Sequence, residues 1–258
     1  MVRVVMPLRR HPFVLVVVIA LLSTIATTAA AQCGDGTVDP GEQCDTGNVF
    51  GENCCSPLCE YDPPGTACAN EGNACTIDTC DGAGTCEHNP FSPGDCSPAA
   101  SGKSTFTVRR SADSPSVGSL VWKWVGSEAV AKADFGTPGE GTALGLCIRD
   151  PVTTERFSTN FSGSCGDRPC YKHTTTGYTY RNPDDSLFRK SQISVKSGAA
   201  GKAKISIKGK GLHLGDLAGV TLGAPLHVYM VRTDSTHCWE AVYSTIRNND
   251  NGSTAKSD

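Results

Sequence analysis

The sequence predicts an all-β protein in which a small, irregular, disulfide-rich module is followed by an antiparallel, jelly-roll-like β-sandwich. Ten of the fourteen cysteines lie in residues 33–96 and four in residues 97–258. The first segment holds twelve Asp and Glu residues and no Lys or Arg, whereas the second holds twenty basic and fourteen acidic residues. From residue 105 onward, apolar and polar side chains alternate over short segments, which is the period of half-buried strands.

Residues 1–31 have the pattern of a signal peptide. Basic residues precede the apolar run 13–22, and Ala29-Ala30-Ala31 forms a small-residue cleavage site before Gln32. A membrane-anchoring helix is disfavoured because the apolar run is about ten residues long, against the ~20 that a span requires. We therefore expect a protein that is secreted, displayed on the cell surface or held in the periplasm, with no transmembrane segment after cleavage.

The cysteine-rich module, residues 32–97, is predicted to depend on disulfides. Its large apolar side chains are too few to offset the chain entropy of a segment of this length. An even number of cysteines in each half of the chain suits two closed sets of bridges in an oxidising compartment. Zinc ligation is disfavoured because C-x-x-C is absent. The predicted disulfide cysteines here are Cys33, Cys44, Cys54, Cys55, Cys59, Cys68, Cys75, Cys80, Cys86 and Cys96.

Residues 98–104 are small and polar, which predicts a linker; residues 105–247 form the predicted sandwich and residues 248–258 a polar, mobile tail. Among the four remaining cysteines, Cys165 and Cys170 flank a short turn and are expected to pair. Cys147 and Cys238 lie within predicted strands and are expected to join the two sheets across the core. Pairings between the turn and the strands are the alternative.

Four carboxylates lie close together in the first loop of the module. Asp35, Asp39, Glu42 and Asp45 are held between Cys33 and Cys44 or next to them. Oxygen ligands in a glycine-kinked loop suit calcium. The alternative is that they are solvated turn residues, since Asp-Gly and Pro-Gly form ordinary turns.

The run CGDGTVDPGEQCD, with NCCSPLCEYDPPGTAC and CTIDTCDGAGTC after it, resembles the disintegrin domain of snake-venom and membrane-bound metalloproteinases. It is equally similar to a cysteine-rich repeat of secreted bacterial proteins, and the second half resembles a domain of unknown function from the same proteins. The resemblance implies calcium ligands at Asp35, Asp39, Glu42 and Asp45, with a carbonyl ligand at Thr37. Thr46 stands where disintegrins have a cysteine, and Arg-Gly-Asp is absent, so integrin recognition is not implied.

Two surface patterns in the second half admit a structural and a functional interpretation. Trp122 and Trp124 flank Lys123 and should share one face, either in the core or as an exposed carbohydrate-stacking platform. A lysine stripe, favoured here as an edge or outer face protected against aggregation, could instead attract anionic polysaccharide, lipid headgroups or the acidic module. The stripe comprises Lys196, Lys202, Lys204, Lys208 and Lys210.

Catalytic signatures are absent from the sequence: it has no H-E-x-x-H, no G-x-S-x-G and no glycine-rich phosphate loop. We therefore predict a non-enzymatic binding or adhesion protein whose partner is an extracellular protein or polysaccharide and not nucleic acid. Calcium is the one cofactor expected, in a structural role, and no organic cofactor is expected. The alternatives are a structural envelope component and a hydrolase whose site brings a histidine and a carboxylate together in a pocket.

Overall fold

The computed structural model describes residues 33–47, 53–69, 71–92, 94–110, 118–152, 155–161, 164–165, 167–182, 190–211, 217 and 220–258. The predicted signal peptide lies outside these residues. Across the described part of the chain, we find no helix with the length and apolar character needed to cross a membrane.

About half of the described chain is in β-strands and almost all of its regular secondary structure is β, which confirms the predicted fold class. A 3-10 helix spans Ala133–Phe135. The strands are β1 (Thr76–Cys80), β2 (Cys86–Pro90), β3 (Ser97–Pro98), β4 (Thr105–Arg110), β5 (Gly118–Val125), β6 (Leu144–Arg149), β7 (Phe157–Phe161), β8 (Ser164–Cys165), β9 (Arg168–Pro169), β10 (Tyr171–Thr174), β11 (Gly177–Asn182), β12 (Lys190–Lys196), β13 (Lys204–Gly211), β14 (Leu226–Arg232), β15 (Cys238–Tyr243), β16 (Ile246–Asn249) and β17 (Gly252–Lys256).

Two sheets form the sandwich. The larger has eight strands in the order β10-β11-β12-β13-β5-β4-β17-β16, and all its pairs are antiparallel. The smaller has five strands in the order β3-β15-β14-β6-β7, in which only the short β3 runs parallel to its neighbour. Alternation places one face of each strand inward, as in β13, where Ile205 and Ile207 are buried while Lys204 and Lys208 are exposed.

The inner faces of the two sheets share one aromatic-rich core. Trp122 and Trp124 of β5 are 0% and 1% exposed. Their indole N–H groups donate to the Tyr243 hydroxyl at 3.0 Å and to the Glu240 carbonyl at 2.9 Å, both on β15 of the opposite sheet. Buried indoles require such partners. The burial excludes the interpretation of these two tryptophans as an exposed carbohydrate platform.

The last residues of the chain correct one prediction. The segment 248–258, predicted as a mobile tail, contributes β17, which pairs along its length with β4 inside the large sheet. Ser253 and Ser257 are buried there. The polar composition was misleading because the strand's neighbours, and not its own side chains, supply most of the apolar surface.

The predicted linker is also ordered. Ala99 N–H donates to the Glu240 carbonyl at 2.9 Å, Ala100 N–H donates to the Val125 carbonyl at 2.7 Å, and Ser104 is fully buried. Its small residues allow the backbone to pass close to both sheets. The segment therefore fixes the module against the sandwich and does not separate the two.

All fourteen cysteines are paired, so none is available as a thiolate ligand. Four bridges lie within the module: Cys33–Cys59, Cys44–Cys55, Cys54–Cys80 and Cys68–Cys86. Cys165–Cys170 closes the short turn, the pairing that its spacing predicts. The remaining two, Cys75–Cys147 and Cys96–Cys238, join the module to the sandwich.

The predicted Cys147–Cys238 bridge is therefore wrong. Cys147 on β6 and Cys238 on β15 both face outward, and β14 lies between them, so their strands are about 10 Å apart. A disulfide requires Cα atoms within about 7 Å. The prediction of two closed sets of bridges was also wrong, since Cys75–Cys147 and Cys96–Cys238 join the two halves of the chain. The cysteine counts did not reveal this, because two crossing bridges take two cysteines from each half and leave both counts even.

Candidate functional site

The cysteine-rich module is seated on the outer face of the five-stranded sheet. A second apolar cluster forms there from residues of both parts, with the two cross-linking disulfides at its centre. The Phe91 ring stacks on the Tyr229 ring at a centroid distance of 4.8 Å. Gly145 permits the approach, because a Cβ atom at this position would lie 2.6 Å from the Ala74 methyl.

Polar contacts fix the register of the module on the sheet. Ala74 N–H donates to the Ser158 hydroxyl at 2.8 Å, and the Ser158 hydroxyl donates to Asn73 Oδ1 at 3.0 Å. Asn160 Nδ2 donates to the Gly72 carbonyl at 3.0 Å. The two cross-linking disulfides and these hydrogen bonds make the module a rigid attachment, held at one orientation to the sandwich.

In the first loop of the module, Asp45 binds backbone N–H groups. Its two carboxylate oxygens accept hydrogen bonds from the N–H groups of Gly34, Asp35, Gly36 and Gly47, at 2.8, 3.1, 2.9 and 2.7 Å. The bond from Gly47, followed by those from the other three donors, holds the pKa of Asp45 below its ordinary value. Asp45 therefore ties the start of the loop, at residues 34–36, to its end at Gly47.

The other predicted calcium ligands are only partly brought together. Among the described residues, the ligand atoms within 4.8 Å of one another at this loop belong to Glu42, Asp45 and Cys59, and Cys59 is in a disulfide. Asp35 and Asp39 do not join this group. Asp35 Oδ1 accepts the Thr37 N–H at 2.9 Å, and Glu42 Oε2 accepts the Asp39 N–H at 3.0 Å.

The carboxylate oxygens of this loop are the ligand type that a hard cation prefers. The hydrogen bonds that Asp45 accepts, however, are unfavourable for such an ion. Four N–H groups directed at Asp45 present positive dipoles where a calcium ion would need free oxygen lone pairs. This arrangement therefore does not fit a calcium ion held by Asp45. Calcium binding at the loop stays a prediction.

A second polar cluster lies near the β1–β2 hairpin. His88 Nδ1 lies 2.8 Å from Asp78 Oδ1 and 3.0 Å from Glu71 Oε2. The hydrogen bond to Asp78, supported by the charges of both carboxylates, raises the pKa of His88. Burial, with the nearby Glu71, raises the pKa of Asp78. An imidazole between two carboxylates accounts for this group as an ion-pair network when the ring is protonated.

A depression of about 230 Å³ opens at the seam between module and sheet and is lined by Phe91, Arg149, Asp150, Pro151, Pro225, His227 and Tyr229. His227 Nδ1 lies 2.6 Å from Glu240 Oε1, and the Tyr229 hydroxyl lies 3.2 Å from the same nitrogen. Burial and the Glu240 charge raise the pKa of Tyr229, so the phenol stays protonated. None of the described lining residues is Ser, Thr or Cys.

The sequence did not single out this group at the seam. Alternation along β6 and β14 indicates that Arg149, His227 and Tyr229 each face away from the core. Only the strand register, which pairs His227 with Arg149 and Tyr229 with Glu240, brings them together. Register is a tertiary property and has no local signal here.

The module also exposes large apolar side chains at its distal part, formed by residues 33–62. Leu58 is 79% exposed, Val38 58% and Tyr61 40%. The other large apolar side chains exposed in the described chain are Val152 and Val220 of the sandwich. Disulfides Cys33–Cys59 and Cys44–Cys55 hold the backbone beneath the distal residues. We refer to Val38, Leu58 and Tyr61 as the distal apolar residues.

The lysine stripe is on an outer face but not at an edge. β13 has β12 on one side and β5 on the other, and the edges of its sheet are β10 and β16. Lys196, Lys204, Lys208 and Lys210 are all exposed, whereas Lys202 lies in the preceding turn. Protection of a free strand edge therefore does not explain these charges.

Comparisons with known proteins support the disintegrin-like character of the module. The chain is 30% identical over 161 residues to the disintegrin and metalloproteinase domain-containing protein 15 of Mus musculus, covering 53% of this chain and 16% of that protein. The Homo sapiens protein of the same name is 29% identical over 168 residues, covering 55% and 19%. The chain thus spans less than a fifth of the length of these curated relatives. No family model and no solved structure matches it. What is established is a similarity to disintegrin-containing proteins in a cysteine-rich, disulfide-bonded, β-rich chain.

Proposed function

We propose that this protein is an extracellular, non-enzymatic binding or adhesion protein whose cysteine-rich module contacts a protein partner through its distal apolar residues. The single observation that carries the proposal is the exposure of Leu58, Val38 and Tyr61 on a backbone clamped by disulfides. A contiguous apolar patch on a structured surface is typical of interaction sites, and we propose that these three side chains together form one.

Rigidity strengthens this proposal. A surface that is already ordered loses little conformational entropy on binding, so more of the contact free energy appears as affinity. The module is fixed internally by four bridges and externally by two. Its acidic character favours a partner with basic residues around an apolar centre, because complementary charges steer association. The similarity to proteins named for a disintegrin domain agrees with a protein-binding role.

Secretion or cell-surface display follows from the same features, because seven disulfides require an oxidising compartment. Calcium would act only as a structural ion at the first loop, with Asp39 and Glu42 as the carboxylates to test. Retention as a structural component of a cell envelope is the alternative, in which the partner is a second copy of the chain.

The test is an array of extracellular proteins probed with the oxidised full chain and with two variants. Leu58→Asp should abolish the signals that the unaltered chain gives, because a charge would enter the apolar contact. Val152→Asp is the matched control, since Val152 is 69% exposed on the sandwich, and it should keep them. Signals that persist with Leu58→Asp, or an array without signals, would contradict the proposal.

A second candidate function is hydrolysis at the seam depression, favoured by the 2.6 Å contact between His227 Nδ1 and Glu240. A carboxylate on Nδ1 leaves Nε2 able to accept a proton from water, with Arg149 as an anion-binding neighbour. Turnover of p-nitrophenyl esters or glycosides that is lost in His227→Ala and kept in His237→Ala would support it. An equal rate in all three proteins would dismiss it.

A further inference from the structure

The outer face of the eight-stranded sheet carries a uniform positive charge. Eleven basic side chains point outward from its strands, and every one is exposed. We call this surface the basic face; it consists of Arg109, Lys123, Lys172, Arg181, Lys190, Lys196, Lys204, Lys208, Lys210, Arg247 and Lys256. At the described strand positions on this face there is no Asp or Glu.

The strand register arranges these charges in rows across the sheet. Lys190 lies directly opposite Lys210, and Lys196 directly opposite Lys204. Neighbouring strands are about 4.8 Å apart, so consecutive charges along a row are separated by about 5 to 20 Å. Like charges directly opposite each other destabilise a sheet. Their presence at two places on adjacent inner strands indicates a role other than folding.

The charges of the basic face are not neutralised within the described chain. None of these eleven residues forms an ion pair with a described carboxylate. The acidic module cannot reach them, because it is bonded to Cys147 and Cys238 on the other side of the sandwich. The molecule therefore has an acidic side and a basic side with the aromatic core between them.

Hydroxyl and amide groups lie between the charges. One row runs Lys172, Thr179, Ser194, Ser206, Lys123, Thr105 and Lys256. In another row Gln192 lies between Arg181 and Lys208. The basic face thus presents cations for acid groups and hydrogen-bonding groups for sugar hydroxyls at the spacing of neighbouring strands.

The face lacks the features that protein and nucleic-acid partners need. Protein interfaces are enriched in aromatic residues and depleted in lysine. Binding of single-stranded nucleic acid uses aromatic side chains on which bases stack. The described outward positions of these strands contain no aromatic residue, and the apolar ones in the centre, Val121 and Val125, are half-buried.

A depression lies at one end of this surface, with a volume of about 510 Å³. Arg181, Lys190, Lys208 and Lys210 line it, together with Gln192. Four of the eleven basic residues thus line one concave site, whose other lining residues are Leu120, Val121, Asn182, Ser191 and Gly209. A single acidic sugar unit could be held there while its chain continues across the rows.

We propose that the basic face binds an acidic polysaccharide, a chain whose carboxylate or sulfate groups pair with the rows of Lys and Arg while its hydroxyls meet the intervening Ser, Thr and Gln. Binding would be ionic and spread over many contacts, and therefore strongly weakened by salt. This surface is separate from the distal apolar residues, so either proposal can fail alone.

The experiment measures binding of the oxidised full chain to polygalacturonate and to heparin by biolayer interferometry, at low salt and at about 0.15 M. Neutral dextran is the negative control. Lys204→Gln/Lys208→Gln should weaken binding about tenfold, since two contacts are lost from the centre of the face. Lys204→Arg/Lys208→Arg should keep it, and so should Lys132→Gln/Arg168→Gln, which removes two charges from other surfaces. Preference between the two polymers distinguishes carboxylate from sulfate.

Three results would overturn the proposal. The first is an absence of binding to both polymers at low salt. The second is equal binding by the Gln and Arg variants of Lys204 and Lys208. The third is a different occupant: binding to anionic lipid vesicles or to duplex DNA that exceeds polymer binding, or salt-sensitive self-association in sedimentation velocity that the Gln variant abolishes.

Discussion

The module and the sandwich are stabilised by different means. In the sandwich, three tryptophans and a series of aromatic and branched side chains are buried between two sheets. In the module, the corresponding cluster is made of Cys54, Cys68 and Cys80, with Cys86 packed against it. Side-chain burial therefore dominates in one region, and covalent restriction of the unfolded chain in the other. A segment with almost no apolar interior can thus still present a rigid surface.

Reduction of the disulfides should separate the two regions most clearly. With the bridges opened, the module loses its main source of stability and should unfold, while the core of the sandwich remains. Hydrogen–deuterium exchange after treatment with dithiothreitol should show rapid exchange throughout β1 and β2 and continued protection in β5 and β13. Equal loss of protection in both regions would contradict the distinction, as would protection that survives in the module.

Truncation of an apolar side chain should have very different effects in the two regions. Trp122→Ala removes a fully buried indole and its hydrogen bond to Tyr243, and should lower the free energy of unfolding by about 3–5 kcal/mol. Leu58→Ala, at a side chain 79% exposed in the module, should change it by less than about 0.5 kcal/mol. Urea denaturation of the oxidised proteins measures both. Similar effects at the two sites would show that apolar burial also supports the distal module.

Individual disulfides should contribute different amounts to the free energy of unfolding. Cys75–Cys147 spans 72 residues and Cys165–Cys170 spans 5. By chain entropy alone, Cys75→Ser/Cys147→Ser should destabilise by about 4 kcal/mol and Cys165→Ser/Cys170→Ser by about 2 kcal/mol. The first pair should also increase exchange at the seam, for example at Ala74. A larger loss from the shorter bridge, measured in urea, would argue against this ranking.

The smallest expected effect concerns pH and the first loop. The pKa of Asp45 is held below 3.8 in the folded protein, so its hydrogen bonds are fully present above that value. Their contribution is lost as the pH falls through the lowered folded value. Asp45→Asn should therefore increase amide exchange in residues 33–47 at neutral pH and remove its acid dependence. Asp35→Asn is the control, because Asp35 accepts a single N–H bond, from Thr37.

Calcium should distinguish the two interpretations of that loop. If Asp39 and Glu42 hold an ion, calcium raises the melting temperature of the unaltered chain but not that of Glu42→Gln. If Asp45 closes the loop alone, calcium leaves both melting temperatures unchanged, as the four N–H bonds to Asp45 suggest.

Local sequence patterns were enough to predict the strands. The contacts that their side chains make depend on how the strands pair over long sequence distances. Alternation of polar and apolar residues along 202–208 is sufficient to predict that Ile205 and Ile207 face inward, because period two is a property of the strand alone. The position of β13 in the strand order depends on its pairing with strands that are distant in sequence. That position decides whether Lys204 lies at a sheet edge or in the middle of the basic face. The His227–Glu240 contact at the seam depends on register in the same way.

Long-range disulfide pairing, like strand order, could not be predicted from local sequence. Composition indicated that the module needs bridges, since its apolar residues are few. It did not reveal that Cys75 and Cys96 leave the module, because parity is unchanged when two bridges cross a boundary. The polar segment 248–258 likewise contains a strand, β17, because it pairs with β4. Its own sequence does not reveal that neighbour.

The separation of charge between the two sides of the molecule depends on the two bridges that fix the acidic module opposite the basic face. Trypsin tests them directly, because residues 33–102 contain no Lys or Arg and remain one fragment. In a non-reduced digest, mass spectrometry should find that fragment bonded to peptides 133–149 and 233–247, which carry Cys147 and Cys238. Peptides 133–149 and 233–247 bonded to each other, with the module fragment free, would contradict it.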